Sequence, residues 1–268
     1  GLLVSNQWMH LALVMGRRET ELFANGVLVG LLKAPQVFSR FHAGGHYYFG
    51  KSSYDSDPPL RGQMDEVRVW VTARTGEQIR ENMFRRLTGA EEGLAGLWNF
   101  DDPEQPGRDA SPHGFHGTLR NEADLPAISL PTVDSLVIPA SMRGTVTDTD
   151  GRALAGVDVL VAQSAVTNTT ITTDSDGGFL LVKPVPGETV TLEARRNELA
   201  CRPTNVVMRA GEQELNLSLR DLSAVSGKVL ALDDSPLPAV VVQAVRVAGE
   251  AIGGQDQSGL VGEVFAAP

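Results

Sequence analysis

Short runs of alternating apolar and polar residues fill most of the chain, and this pattern predicts β-strands in preference to helices. Residues 8–15 are apolar at nearly every position, which predicts a strand buried on both faces inside a sandwich. Residues 21–24 and 27–31 flank Asn25-Gly26, a dipeptide that accepts the positive φ angles of a type I′ turn. The N-terminal part of the chain is therefore predicted to begin with a buried strand and a β-hairpin.

Three further segments of the N-terminal region are predicted to be strands. Residues 47–49 are aromatic, and residues 93–100 are mainly apolar. Residues 62–71 alternate, so that Val67 and Val69 point to one face and their neighbours to the other. Together with the hairpin, these segments indicate a sandwich built from short strands.

A helix is predicted at one place in this region. Thr75 and Gln78 have the spacing of a capping box, which marks the start of a helix. Gly89 stands where a left-handed residue would end it. The apolar stripe between these two signals consists of Ile79, Met83 and Leu87.

The second half of the chain contains an internal repeat. Residues 143–159 align without a gap with residues 226–242, at an offset of 83 residues (226 − 143). The match resumes one residue shorter, where residues 174–177 align with residues 256–259. An offset of this size suits a small β-sandwich, so the repeat predicts an array of modules.

Seven short strands at regular spacing are predicted in the first copy of the repeat, which indicates an immunoglobulin-like or prealbumin-like sandwich. They are residues 142–147, 157–162, 169–173, 179–182, 189–194, 205–208 and 214–219. The predicted organisation is all-β. It comprises a first domain over residues 1–122, a proline-containing extended linker over 123–139, a complete sandwich over 140–222 and a truncated second copy over 223–268.

Composition narrows the class of function. A net charge of −10 and a pI near 5.0 argue against nucleic-acid binding, which needs a concentrated basic face. No apolar run approaches the ~18–20 residues that span a bilayer, so no membrane insertion is expected in this segment. Cys201 is the single cysteine, which excludes a disulfide within the chain. Because the chain stops before the second copy is complete, we expect it to be an interior fragment of a longer protein.

The acidic and imidazole groups do not form a pattern typical of a catalytic centre. Asp65 and Glu66 are adjacent, and adjacent strand residues point to opposite faces, so the two carboxylates cannot flank one glycosidic bond. His113 and His116 lack a third ligand at metal-site spacing, and His10 on an apolar strand is interpreted as a satisfied core side chain. The chain is therefore predicted not to be an enzyme.

Two tetrapeptides of the form Asp-x-Asp-Gly raise the possibility of calcium. Residues 148–151 and 174–177 each supply two carboxylates, but neither is followed by the further oxygen ligands of an EF-type loop. Both are interpreted as hairpin tips. No cofactor is therefore expected, with Ca²⁺ as the alternative.

Several motifs, in order, resemble the second half of a LamG-like, concanavalin A-like jelly roll. They are Trp8-x-His10-x-Ala12, then Leu22-x-Ala24-Asn25-Gly26-x-x-Val29-Gly30, then Phe49-Gly50, then Gly62-x-Met64-Asp65-Glu66-Val67-Arg68-Val69-Trp70. Residues 97–102 and 109–119 resemble the sequence with which such domains open. Residues 94–120 are therefore either the strand that closes this jelly roll or the start of another.

The first copy of the repeat resembles the carboxypeptidase regulatory-like domain. The matching motifs are Gly144-x-Val146-x-Asp148-x-x-Gly151-x-x-Leu154-x-Gly156-Val157-x-Val159, then Thr173-Asp174-x-x-Gly177-x-Phe179, then Pro186-Gly187, then Val190-x-Leu192-x-Ala194. The resemblance implies a prealbumin- or immunoglobulin-like sandwich over about residues 140–222.

The loop over residues 47–57 is the best candidate for ligand binding. Tyr48 and Tyr54 could stack on sugar rings or contact a protein, and Asp55 with Asp57 could hold Ca²⁺ through carboxylate oxygens. The alternative is that Tyr47 and Phe49 are core strand residues and that the two aspartates solvate a turn.

The leading hypothesis is a non-catalytic segment of a large exported bacterial protein, located outside the cell or on its surface. The LamG-like module would bind a glycan or an extracellular protein, and the sandwiches would act as semi-rigid spacers. One alternative is an accessory, carbohydrate-binding segment of an exported glycosidase or peptidase. Another is the ectodomain of a signalling receptor.

Overall fold

Short β-strands dominate the structure, as the alternating pattern predicts. The computed structural model describes residues 3–34, 46–52, 54–121, 123–126, 131–163, 169–183, 185–221, 241–244 and 262–265. Its internal contacts divide the chain into two units, Gly1–Asp221 and Leu222–Pro268. Across the described residues the fold class is all-β with one short helix, which confirms the prediction.

The predicted β-hairpin is present near the N-terminus. Strands β1 (Leu11–Met15), β2 (Thr20–Ala24) and β3 (Val27–Leu32) form an antiparallel sheet in that order. Asn25 and Gly26 have φ angles of 48° and 77°, as a type I′ turn requires. The Asn25 side chain is buried, and its Oδ1 accepts a hydrogen bond from the His10 backbone N–H at 2.8 Å. The turn is therefore also held in place by a hydrogen bond to a residue outside the hairpin.

The prediction that residues 8–15 are buried on both faces is wrong. The strand begins only at Leu11, and Leu11 and Leu13 are 49% and 59% exposed. Ala12 and Val14 point the other way and pack against a cluster that includes Phe23. The apolar residues of β1 therefore line one buried face and one open face of the sheet.

The second pair of strands is shorter than predicted. Strands β4 (Val67–Trp70) and β5 (Leu94–Trp98) are antiparallel partners. Residues 62–66 are not part of β4, because Glu66 has a φ of 52°, a left-handed conformation that interrupts an extended strand. Residues 47–49 do not form a strand either. The pairing of β5 with β4 makes residues 94–98 part of the structure of the first region.

The predicted capping box is present, but the helix ends early. Helix α1 covers Gly76–Asn82, with reciprocal hydrogen bonds between Thr75 and Gln78 at 3.1 and 3.2 Å. Gly89 has a left-handed φ of 93° but lies beyond the helix, so its predicted role as the end of the helix is wrong.

Arg68 contacts the carbonyl groups at the C-terminal end of α1. The Arg68 guanidinium donates to the carbonyl oxygens of Asn82, at 2.7 Å, and Arg85. Asn82 is the last residue of α1, and its carbonyl also accepts from the Arg85 backbone N–H at 3.0 Å. Leu87, which was predicted to lie on the helix, instead packs with Leu94 and Leu97.

The first copy of the repeat forms a two-sheet sandwich. Its strands are β6 (Ala140–Thr147), β7 (Asp158–Gln163), β8 (Thr169–Thr172), β9 (Gly178–Lys183), β10 (Thr189–Arg196), β11 (Leu199–Ala200), β12 (Thr204–Val207), β13 (Gly211–Glu214), β14 (Leu217–Ser218) and β15 (Arg220–Asp221). One sheet contains β6, β9, β13 and β14, and the other contains the remaining six. Alternate residues fill the core between them, chiefly Met142, Val146, Val157, Val159, Val161, Phe179, Leu181, Val190, Leu192, Met208, Leu217 and Leu219.

The last strand predicted in the sandwich, residues 214–219, is broken into two. Strands β13 and β14 both run parallel to β6, and Leu215 and Asn216 lie between them. The Asn216 Oδ1 accepts hydrogen bonds from the Thr145 backbone N–H at 2.9 Å and hydroxyl at 2.8 Å. The side-chain amide thus replaces a backbone partner where the ladder is interrupted.

The linker and the second unit each contain short regular elements. The predicted extended linker contains a 3₁₀ turn at Val133–Ser135, and Leu136 after it is buried. In the second unit, β16 (Val241–Ala244) pairs antiparallel with β17 (Gly262–Phe265). The rest of the predicted second copy lies outside the described residues. The domain boundaries at residues 122, 139 and 222 stay a prediction.

Gly144, one of the residues that both copies share, tests the broken strand. A Cβ added there would lie 1.8 Å from the Leu215 carbonyl oxygen, a backbone atom that cannot move aside alone. We expect Gly144→Ala to destabilise the sandwich by about 3 kcal/mol or more in urea denaturation. Gly151→Ala is the control. Its φ is 80° but nothing lies within 4 Å of the added atom, so only backbone strain of about 1 kcal/mol is expected. Equal effects would contradict the packing at Gly144.

Candidate binding surface

An aromatic loop is exposed on the first region, where the sequence predicts ligand binding. Gly50 lies at its centre, and its carbonyl accepts a hydrogen bond from the Leu60 backbone N–H at 2.7 Å. The alternative that Tyr47 and Phe49 are core strand residues is wrong. We define the aromatic surface as Tyr47 (62% exposed), Tyr48 (53%), Phe49 (47%), Tyr54 (71%), Leu60 (53%) and Met64 (42%).

A ring contact joins the aromatic surface to strand β5. Phe49 meets Trp98 edge to face, with ring centroids 5.0 Å apart and an interplanar angle of 72°. Trp98 is buried, and its indole N–H donates to the Phe115 carbonyl oxygen at 3.2 Å. Phe49 therefore holds the loop on the scaffold while the tyrosines face outward.

The two aspartates of the loop take part in contacts within the loop. The Asp55 carboxylate is fully exposed and lies 3.7 Å from the Lys51 ammonium. The Asp57 backbone N–H donates to the Tyr54 carbonyl at 3.2 Å, which closes a turn. Over the described residues, no three His, Cys, Asp or Glu side chains group together as metal ligands would.

Asp109 organises the loop behind Trp98, a role that its sequence motif did not reveal. Its buried carboxylate accepts hydrogen bonds of 2.8–2.9 Å from the backbone N–H groups of Leu97, Ser111 and Phe115 and from the Ser111 hydroxyl. Burial alone would raise the pKa of Asp109, but these hydrogen bonds outweigh burial and lower it. His116 Nδ1 accepts from the Asp109 backbone N–H at 3.1 Å, so this histidine has a structural role.

The acidic pair of the first region, Asp65 and Glu66, has structural partners. The Glu66 carboxylate lies 2.8 Å from the Arg68 guanidinium, and Asp65 accepts from the Glu66 backbone N–H at 2.7 Å. Burial, with a smaller effect of the Arg68 charge, lowers the pKa of His10 to about 4. His10 is therefore neutral near pH 7. Within the described residues, the buried His10 Nδ1 has no hydrogen-bond partner, so the interpretation of a fully satisfied core histidine is wrong for that atom.

In the sandwich, both Asp-x-Asp-Gly turns are closed by their first aspartate. Asp148 Oδ1 accepts from the backbone N–H groups of Asp150 and Arg152. Asp174 Oδ1 accepts from those of Asp176 and Gly178. These hydrogen bonds close the two turns. The interpretation as a hairpin tip is wrong for residues 174–177, because they connect β8 and β9, which lie in different sheets.

Cys201 is half-buried, as predicted, and packs against the sandwich core. Its Sγ accepts a hydrogen bond from the Ala194 backbone N–H at 3.0 Å. Burial raises the pKa of the Cys201 thiol, so the thiolate is disfavoured.

Comparison with family models matches the two regions separately. Residues 1–80 match the model described as the concanavalin A-like lectin/glucanases superfamily. Residues 141–220 match the model described as the carboxypeptidase regulatory-like domain. Both resemblances predicted from the sequence are therefore confirmed. No curated protein matches the chain.

Solved structures resemble only part of the chain. A chlorocatechol 1,2-dioxygenase from Pseudomonas putida is 14% identical over 30% of this chain and 59% of its own, with a TM-score of 0.26. A C-terminal fragment of the pilus adhesin SpaC from Lactobacillus rhamnosus GG is 16% identical over 33% of this chain and 47% of its own, with a TM-score of 0.24. The chain spans 59% of that dioxygenase and 60% of a 3-chlorocatechol 1,2-dioxygenase from Rhodococcus opacus 1CP. At such TM-scores these likenesses do not bear on function.

The Asp109 hydrogen bonds generate a test of how the loop is held. In Asp109→Asn an amide N–H₂ replaces one acceptor oxygen and faces backbone donors, so we expect a loss of about 2–4 kcal/mol in unfolding free energy. Because the folded-state pKa is lowered, the wild-type contribution is present above the usual aspartate pKa and is lost as pH falls through the folded value.

Urea denaturation at neutral and acidic pH measures this difference. The exposed Asp124, changed to Asn, is the matched control and should leave stability unchanged. The assignment fails if Asp109→Asn is as stable as Asp124→Asn at neutral pH.

Proposed function

We propose that this chain is a non-catalytic binding segment of a large exported multidomain protein. Its concanavalin A-like region recognises a glycan or an extracellular protein, and the carboxypeptidase regulatory-like sandwich supports it. The observation that carries this proposal is the aromatic surface, a set of exposed large apolar side chains within residues 47–64.

The chemistry of the aromatic surface favours a binding role. Tyrosine provides a large flat apolar area and a hydroxyl in one side chain, which suits both sugar faces and protein interfaces. Contiguous exposed apolar groups are uncommon on a surface that has no partner. Tyr48 and Tyr54 are therefore the proposed contact residues, with Asp55 and Asp57 beside them as polar or calcium-binding partners.

The absence of catalysis is part of the proposal and is supported by the kinds of domain present. Both matching models describe β-domains of lectin-like and regulatory-like type. The acidic pair has structural contacts. Asp65 accepts a hydrogen bond from the Glu66 backbone N–H just before β4, and Glu66 forms an ion pair with Arg68.

No helix within the described parts of the chain is long and apolar enough to cross a membrane.

A glycan array probed with the full chain, with and without calcium, tests the proposal. We expect binding that weakens about tenfold in Kd for Tyr48→Ala and for Tyr54→Ala, because each loses a stacking contact of ~1.4 kcal/mol. Asp57→Asn should reduce binding only if calcium is needed.

The matched control is Val185→Ala, which removes an exposed apolar side chain from the sandwich instead. Binding that survives both tyrosine substitutions would contradict the assignment of this surface. If the chain binds no glycan but binds an extracellular protein through these tyrosines, the surface is assigned to protein contacts.

A further inference from the structure

An outward-facing leucine of the sandwich lies in the buried cluster of the first region. Phe179 and Leu181 of β9 point into the sandwich core, so the strand alternation directs Leu180 to the opposite face. On that face Leu180 packs against the cluster that Phe23, Leu28 and Ile79 of the first region form. Strand β3 of the hairpin and Ile79 of α1 therefore cover part of the outer face of the sheet that contains β6, β9 and β13.

A carboxylate of the sandwich joins the hairpin to the helix beside this contact. Glu212 lies on β13, and its Oε1 accepts from the Leu28 backbone N–H at 3.4 Å and from the Arg80 guanidinium at 3.2 Å. The same Arg80 nitrogen also donates to the Gly26 carbonyl at 3.0 Å. One sandwich side chain thus touches both β3 and α1.

A lysine at the end of the hairpin faces the second Asp-x-Asp-Gly turn. The Lys33 ammonium lies 3.4 Å from Asp176, 3.9 Å from Asp174 and 3.3 Å from Glu19. Burial would lower the pKa of Lys33, but hydrogen bonds to Glu19 and Asp176 outweigh burial and raise it. The turn that suggested calcium in the sequence therefore receives a cation from the first region.

The turn of the hairpin is fixed to the segment that enters the sandwich. The buried Asn25 donates through Nδ2 to the Val137 carbonyl at 2.8 Å, three residues before β6 begins. The same side chain accepts from His10, so it joins the start of the first region to the start of the sandwich.

The polar contacts and the apolar contact contribute differently to the packing of the first region on the sandwich. Ion pairs at partly exposed sites contribute little to stability, so Lys33 and Arg80 chiefly select the orientation. Burial of apolar area at Leu180 supplies the larger favourable term. The cluster of Phe23, Leu28 and Ile79 is small for a separate core, and Leu180 enlarges it.

We infer that the outer face of the first sandwich is a docking surface for the hairpin and α1, and that the fold of this first-region element depends on it. The surface consists of Leu180, Glu212 and the turn at Asp174–Gly177. In the aligned second copy, Ser258 replaces Asp176, one of the carboxylates that face Lys33. The docking surface is thus a property of the first copy, which distinguishes it from a general spacer.

Hydrogen exchange on the full chain, with Leu180→Asp, tests this inference. Because Leu180 points away from the sandwich core, the substitution should spare the amides of β7 and β10. We expect peptides covering residues 20–32 and 76–82 to exchange at least tenfold faster than in the wild type. Glu212→Gln should accelerate the same peptides to a smaller extent.

Val207→Asp, which places the same charge at an exposed site on β12, is the matched control and should change neither set of peptides. Unchanged protection of the hairpin and helix in Leu180→Asp would overturn the inference. Equal loss of protection in β7 and β10 would also overturn it, because Leu180 would then belong to the sandwich's own core.

Discussion

The alternation of side chains along β9 is the constraint on which the arrangement of residues 1–221 depends. Phe179 and Leu181 fill the sandwich, and the residue between them must face outward. Because that residue is leucine, the outer face can bury the apolar cluster of the hairpin and helix. One strand therefore contributes side chains to two buried clusters. A shift of its register by one residue would turn Leu180 inward and Phe179 and Leu181 outward, so neither cluster would keep its present residues.

This arrangement affects how the aromatic surface is presented. Phe49 holds the loop against Trp98, and Trp98 is fixed to the loop that Asp109 closes. The tyrosines are thus mounted on side chains that are themselves held by hydrogen bonds and ring packing. A surface held in this way loses less conformational entropy on binding than a free loop would.

Features encoded by neighbouring residues were predictable from the sequence. The type I′ turn at Asn25-Gly26 and the capping box at Thr75 depend on a few consecutive residues, and both are present. The alternation within the first sandwich likewise identified its core positions. Features decided by distant partners were not predictable. Arg68 contacts the carbonyl of Asn82, the last residue of α1, and the Leu215 carbonyl packs over Gly144.

The candidate surface likewise has features that depend on neighbouring residues and features that depend on distant ones. The exposure of Tyr48 and Tyr54 follows from a polar, glycine-containing loop, whereas the part that Asp109 plays behind it depends on four donors gathered from three residues. Lys33 and Glu212 were also missed, because their partners lie 143 and 184 residues away along the chain. Sequence patterns identify such residues only as charged surface positions.

A double-mutant cycle between Leu28→Ala and Leu180→Ala, measured by equilibrium unfolding of the full chain, tests the central contact most directly. If the two side chains share one buried cluster, their effects on unfolding free energy are not additive, and the coupling is about 1 kcal/mol or more. Additive effects, with no coupling, would contradict the docking of the first region on the sandwich.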